Sequence, residues 1–93
     1  MSPQVMVTLP HILRPKAGNR AQVPVAGQTV RELIDALDQD FPGIRFHLCY
    51  ETGELRPFVN VFVNREHIRY LQGLDTPVPE GAKIYILQSV AGG

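Results

Sequence analysis

Lys83-Ile84-Tyr85-Ile86-Leu87-Gln88 runs straight into Ser89-Val90-Ala91-Gly92-Gly93, and how that stretch is read decides the fold. Its first half alternates with a period of two, Ile84 and Ile86 against Tyr85 and Leu87, the pattern of a β-strand with two different faces. Its second half has no such pattern and ends on two glycines. A backbone without Cβ atoms accepts φ values closed to other residues and lets other groups approach closely. A Gly-Gly end therefore suits a carboxylate that must enter another protein's active site. With an ordinary pKa of about 3.3–3.7, that carboxylate is an anion and a poor electrophile at neutral pH until it is activated, for instance as an acyl adenylate. Extended from Ser89 to Gly93 the tail spans roughly 16 Å, enough to thread a narrow channel while the folded body stays outside.

Upstream of this stretch the chain reads as one α+β domain. Val5, Val7 and Leu9 alternate with Met6 and Thr8, predicting a strand over residues 4–9 that Pro10 ends. After a loop through Arg14-Pro15 and Gly18-Asn19, residues 21–25 alternate again; Pro24 has no N–H to give a ladder and belongs on an edge strand. Thr29-Val30-Arg31-Glu32 fits a capping box, the Thr29 hydroxyl serving the Glu32 amide and the Glu32 side chain reaching back to Thr29. Val30, Leu33, Ile34, Leu37 and Phe41 follow at helical spacing, which predicts a helix to about Asp40, before Pro42-Gly43. Arg31, Glu32, Asp35, Asp38 and Gln39 fall on its wet side.

Residues 44–57 read as irregular, with a turn at Gly53. Phe58 to Val63, apolar except at Asn60, reads as a central strand; residues 68–70 read as a short strand and Pro79-Glu80-Gly81 as a turn. The order β-β-α-β-(β)-β predicts a mixed sheet of about four to five strands with one main helix on one face. The expected division is a domain over residues 1–88 and a flexible C-terminal tail over residues 89–93.

Bulk properties exclude several functions. Lys plus Arg and Asp plus Glu each number 9 in 93 residues, so no long-range field favours nucleic acid or anionic lipid. No apolar run approaches the ~20 residues that span a bilayer, and Met1-Ser2-Pro3-Gln4 carries no signal of a basic then an apolar region, so the cytoplasm is the expected location. Cys49 is the single cysteine, which rules out an internal disulfide or a thiolate cluster and leaves an inert thiol as the expectation. His11, His47 and His67 lie in separate segments with no nucleophile or carboxylate at motif spacing, and Asp35 with Asp38 lacks further ligands. The expectation is a protein without metal or cofactor that is not itself an enzyme.

If Val5, Val7, Ile84 and Ile86 face the helix, then Tyr85, Leu87 and Phe62 lie on the opposite, open face beside the root of the tail. Grouped exposed apolar residues of this kind make a docking patch. Residues 44–57 folding over that face would bury it instead, and periodicity alone does not choose between the two.

The element order, the stretch Phe58-Val59-Asn60-Val61-Phe62-Val63-Asn64, Pro79-Glu80-Gly81 and the final Val90-Ala91-Gly92-Gly93 together resemble the β-grasp, ubiquitin-like sulfur carriers. These include the thiamin sulfur carrier and the small subunit of molybdopterin synthase. The similarity covers essentially the whole chain. Ile12-Leu13-Arg14-Pro15, Gly73-Leu74 and the Val-Ala-Gly-Gly end look most like the sulfur carriers of bacterial cysteine biosynthesis. That resemblance implies that Gly93 is adenylated by an ATP-dependent activating enzyme and converted to a thiocarboxylate, with Ala91 and Gly92 threading the enzyme's channel. It also implies Leu87 as an apolar docking residue, beside the Tyr85 and Phe62 that alternation places on the same face. Further implied partners are a pyridoxal-phosphate cysteine synthase using O-phosphoserine and a zinc metalloprotease that trims the cysteine adduct. Gln88-Ser89 stands where molybdopterin synthase subunits have a proline pair, which speaks against that role. The alternatives are sulfur donation to molybdopterin or a thiolated secondary metabolite, and a ubiquitin-like modifier conjugated through Gly93.

Overall fold

Each period-two run becomes a strand. A computed structural model describes residues 4–89. β1 (Gln4–Thr8) and β2 (Gln22–Ala26) pair antiparallel; α1 (Val30–Asp40) and a short α2 (Ile44–Leu48) follow, then β3 (Val59–Val63), β4 (Glu66–His67) and β5 (Lys83–Gln88). They form a five-stranded mixed sheet of order β2-β1-β5-β3-β4. β5 is its middle strand, parallel to β1 and antiparallel to β3, and β3 itself is interior, paired with β5 on one side and β4 on the other, as the stretch 58–63 predicts. Pro24 lies on edge strand β2, where a residue without an N–H is tolerated.

One face of the sheet is apolar throughout: Val5, Val7, Val23, Val25, Val59, Val61, Val63, Ile84 and Ile86 are all buried. The α1 stripe of Val30, Leu33, Ile34 and Leu37 is buried in the same core, each large side chain contributing roughly 1.5–3 kcal/mol by leaving water. The helix begins as the capping pattern predicts, with the Glu32 amide donating to Thr29 Oγ1 at 3.2 Å. The return contact differs from expectation: Glu32 Oε1 accepts from the Gln28 amide at 3.0 Å rather than from that of Thr29. Thr29 is extended against Pro77 by the bonds Val30 N to Thr76 O and Val78 N to Gln28 O, which brings the preceding amide to the carboxylate.

Three further expectations are corrected. The loop after Pro10 contains a 3₁₀ helix over His11–Ala17, which buries Leu13 and Ala17. Residues 44–57 are not wholly irregular, because α2 opens them and buries Ile44 and Leu48 in the core. Asp38 starts that helix: its Oδ1 accepts the amides of Gly43 at 3.0 Å and Arg45 at 3.1 Å, so Asp38 caps a neighbour as well as meeting solvent. The link between the two helices needs φ +98° at Gly43, a value that favours glycine. Finally, residues 68–70 form a 3₁₀ turn and the short strand lies just before them, at Glu66–His67, after a turn through Asn64 at φ 58°.

Candidate functional site

The chain leaves the sheet from its centre. β5 presents Ile84 and Ile86, 1% and 2% exposed, to the core, and Leu87, 46% exposed, to the opposite face. Residues 44–48 pack beside α1 and contribute to the same core, so they do not cover Leu87. The facing read from the alternation therefore holds.

Of the expected docking residues, only Leu87 is exposed. Tyr85 and Phe62 lie opposite one another in the β3–β5 register and are half-buried. Phe62 is also met by His67 across the β3–β4 pair, edge to face at 5.0 Å. Aromatic pairs of this kind shield each other, which single-strand periodicity does not show. Met6 on β1 adds an exposed apolar side chain, opposite Lys83 of β5.

Beside Leu87 runs a polar network. Asn60, opposite Leu87 in register, donates from Nδ2 to Ser89 Oγ at 2.8 Å and receives His67 Nε2 at 3.0 Å on Oδ1. Arg69 contacts the same Oδ1 at 3.5 Å, and its amide donates to His67 Nδ1 at 3.0 Å. Burial, and then the neighbouring Arg69 charge, hold the His67 pKa below its ordinary value of 6.5, so the ring is neutral at pH 7. His67 is thus a satisfied histidine rather than a ligand.

A second apolar surface, which the sequence reading missed, lies at the same end of the sheet. Exposed Ile12, Phe46 and Phe58 line a groove with Lys16, His47, Arg56 and Gln88. The Arg56 guanidinium sits over both the Phe46 ring, at 5.0 Å, and the Tyr50 ring, at 4.8 Å. These residues come from distant parts of the chain, so no local sequence pattern groups them.

Cys49 is buried, and burial pushes its thiol pKa up, away from the reactive thiolate. Asp35 pairs with Arg45 at 3.4 Å, and no group of metal-ligating side chains occurs among the described residues. No helix among them is long and apolar enough to cross a membrane. Ala91, Gly92 and Gly93, the expected threading and reactive residues, lie outside the described residues, which end at Ser89.

The sequence pattern of the ThiS family matches residues 7–93. The sulfur carrier protein CysO of Mycobacterium tuberculosis is 38% identical over 91 residues, which span 96% of this chain and 98% of that protein. A chain in the crystal structure of the Amycolatopsis orientalis BexX/CysO complex matches with a TM-score of 0.89 at 40% identity, over 96% of this chain and 99% of that one. The small archaeal modifier protein 1 (SAMP1) of Methanosarcina acetivorans matches with a TM-score of 0.82 at 29% identity, over 100% of this chain and 99% of that one.

Proposed function

The chain belongs to the ThiS family of β-grasp proteins and is a sulfur carrier rather than an enzyme, and from that premise we propose that its working group is the carboxylate of Gly93. An ATP-dependent activating enzyme joins a carboxylate oxygen to the α-phosphorus of ATP and releases pyrophosphate. A sulfide equivalent then displaces AMP, leaving a thiocarboxylate. The product is a strong, soft nucleophile at neutral pH that stays covalently attached to the carrier. On a pyridoxal-phosphate cysteine synthase the thiocarboxylate sulfur bonds to the β-carbon of the amino acid as O-phosphoserine loses phosphate, giving a thioester. The amino group then attacks the thioester carbonyl and releases the thiol, leaving cysteine joined to Gly93 through an amide. A zinc metalloprotease hydrolyses the resulting amide, freeing cysteine and restoring the Gly93 carboxylate. The cycle consumes ATP and belongs in the cytoplasm.

The observation that carries this reading is the extent of the family match, which runs through residue 93 and so includes Val90-Ala91-Gly92-Gly93. Ala91 and Gly92 thread the channel, and Leu87, flanked by Tyr85 and Phe62, meets the enzyme body. Deleting Gly93, or adding one residue after it, displaces the carboxylate by ~3.5 Å and should abolish ATP–pyrophosphate exchange with the activating enzyme while leaving the melting temperature unchanged. Undiminished exchange in either variant overturns the assignment of Gly93.

The likeness to SAMP1 at 29% identity favours a second reading, a modifier conjugated through Gly93. Both readings begin with the same adenylate. Intact mass after incubation with activating enzyme and sulfur donor separates them: one oxygen replaced by sulfur marks the carrier, and conjugates on other proteins mark the modifier.

A further inference from the structure

Ser89 is tied to β3 twice. Its amide donates to the Phe58 carbonyl at 2.8 Å, carrying the ladder one step beyond β5, and its hydroxyl oxygen accepts from Asn60 Nδ2 at 2.8 Å. The second bond has this direction only if the Asn60 amide is turned with nitrogen towards Ser89; with the amide flipped, the Ser89 hydroxyl would have to donate to Oδ1 instead, and an asparagine amide has two orientations of equal shape. His67 selects between them. Its Nδ1 accepts from the Arg69 amide and so carries no hydrogen; a neutral imidazole has one N–H, which is therefore on Nε2 and donates to Asn60 Oδ1. Arg69 Nη2 is directed at the same oxygen, so a flipped amide would set its own N–H groups against two donors.

We propose that Asn60 is a positioning residue that fixes the direction in which the tail leaves the sheet by holding Ser89, with His67 setting the Asn60 amide. This rests on the reading of Gly93 as the group presented to an activating enzyme. The lever arm makes direction matter. Were residues 90–93 extended inside a channel they would reach ~13 Å, so a rotation of about 20° at Ser89 would move the terminal carboxylate by ~4–5 Å, more than one residue of threading depth. A body docked through Leu87 with its tail misdirected is bound but unproductive, which lowers the competent fraction of the complex and not its affinity.

The kinetic signature follows. In ATP–pyrophosphate exchange with the activating enzyme, Asn60→Ala and Ser89→Ala should each lower kcat about threefold to tenfold, the range set by one hydrogen bond, with KM nearly unchanged. Combined, they should be no worse than either alone, because both remove the same bond. Ser89→Thr, which keeps the hydroxyl, should restore kcat. A merely structural role would move the melting temperature and leave this split absent. Wild-type kcat in both alanine variants, or a rise in KM alone, overturns the proposal. Residual dipolar couplings of the Val90 amide in the free protein supply a readout that needs no enzyme: they should differ between wild type and Asn60→Ala, and identical couplings also overturn it. Absence of exchange by the wild type would instead count against the Gly93 reading, leaving the couplings to decide on Asn60.

Discussion

The two faces of β5 are made by alternate residues of one strand and do opposite work. On one face, Ile84 and Ile86 are sealed among the valines of the neighbouring strands and the apolar stripe of α1. On the other, Tyr85 is half-covered by Phe62, Leu87 is open, and an amide-imidazole network reaches Ser89. Burial is concentrated on the first face, and the docking role proposed for Leu87 belongs to the second. A slip of one residue in the register of β5 would exchange them, so the parallel pairing with β1 and the antiparallel pairing with β3 must hold both jobs in place at once.

Ile86→Asp is the severest challenge to this division. An unpaired carboxylate in the sealed face should unfold a domain that has only about 5–15 kcal/mol to lose, and circular dichroism should show no cooperative melt. A near-wild-type melt would mean that the sealed face is not what holds the molecule together. Leu87→Asp should do the reverse, leaving the melt within a few degrees of wild type. Removing a leucine from an interface forfeits roughly 1.5–3 kcal/mol, so calorimetric titration with the activating enzyme should show about tenfold weaker binding or worse. If Leu87→Asp unfolds the protein and Ile86→Asp does not, the comparison is inverted.

A smaller effect distinguishes the faces by pH. His67 stands on the open face with its pKa lowered by burial first and by Arg69 second. The folded state thus prefers the neutral ring, while the unfolded chain takes up a proton near the ordinary value of about 6.5. Below that pH the unfolded state binds more protons, so the stability associated with His67 is complete above it and declines as the pH falls towards the lower folded value. Melts recorded between roughly pH 7.5 and 5 should fall more steeply for wild type than for His67→Gln. A His67-dependent gain in stability on acidification would place a charged imidazole in the network and remove the tautomer argument for Asn60.

What the sequence disclosed and what it concealed divide along physical lines. α1 was legible because its apolar stripe recurs over several turns behind a Thr29 cap, and β5 because Ile84, Tyr85, Ile86 and Leu87 alternate without interruption. α2 was not: residues 44–48 are too few to establish a helical period, and the side chain that starts the helix, Asp38, belongs to the preceding element. The facing of Leu87 followed from alternation, but its exposure did not, because residues 44–57 could have covered that face; the half-burial of Tyr85 and Phe62 likewise depends on their being opposite each other, a matter of register between strands remote in sequence. The same holds for Asn60 and Ser89. Asn60 stands out as the one polar residue of its strand, but nothing local names its partner, and only the pairing of β3 with β5 brings Asn60 and Ser89 to 2.8 Å.

Because β5 fills the middle of the sheet yet comes after every other element, the order of synthesis matters. A nascent chain that has delivered only residues up to the turn at 79–81 holds β1 and β3 with their inner edges bare and with no strand between them. Such a chain cannot close its core, and its exposed edges invite proteases and mispairing. A chain cut short before residues 83–88 therefore lacks the strand that joins β2-β1 to β3-β4.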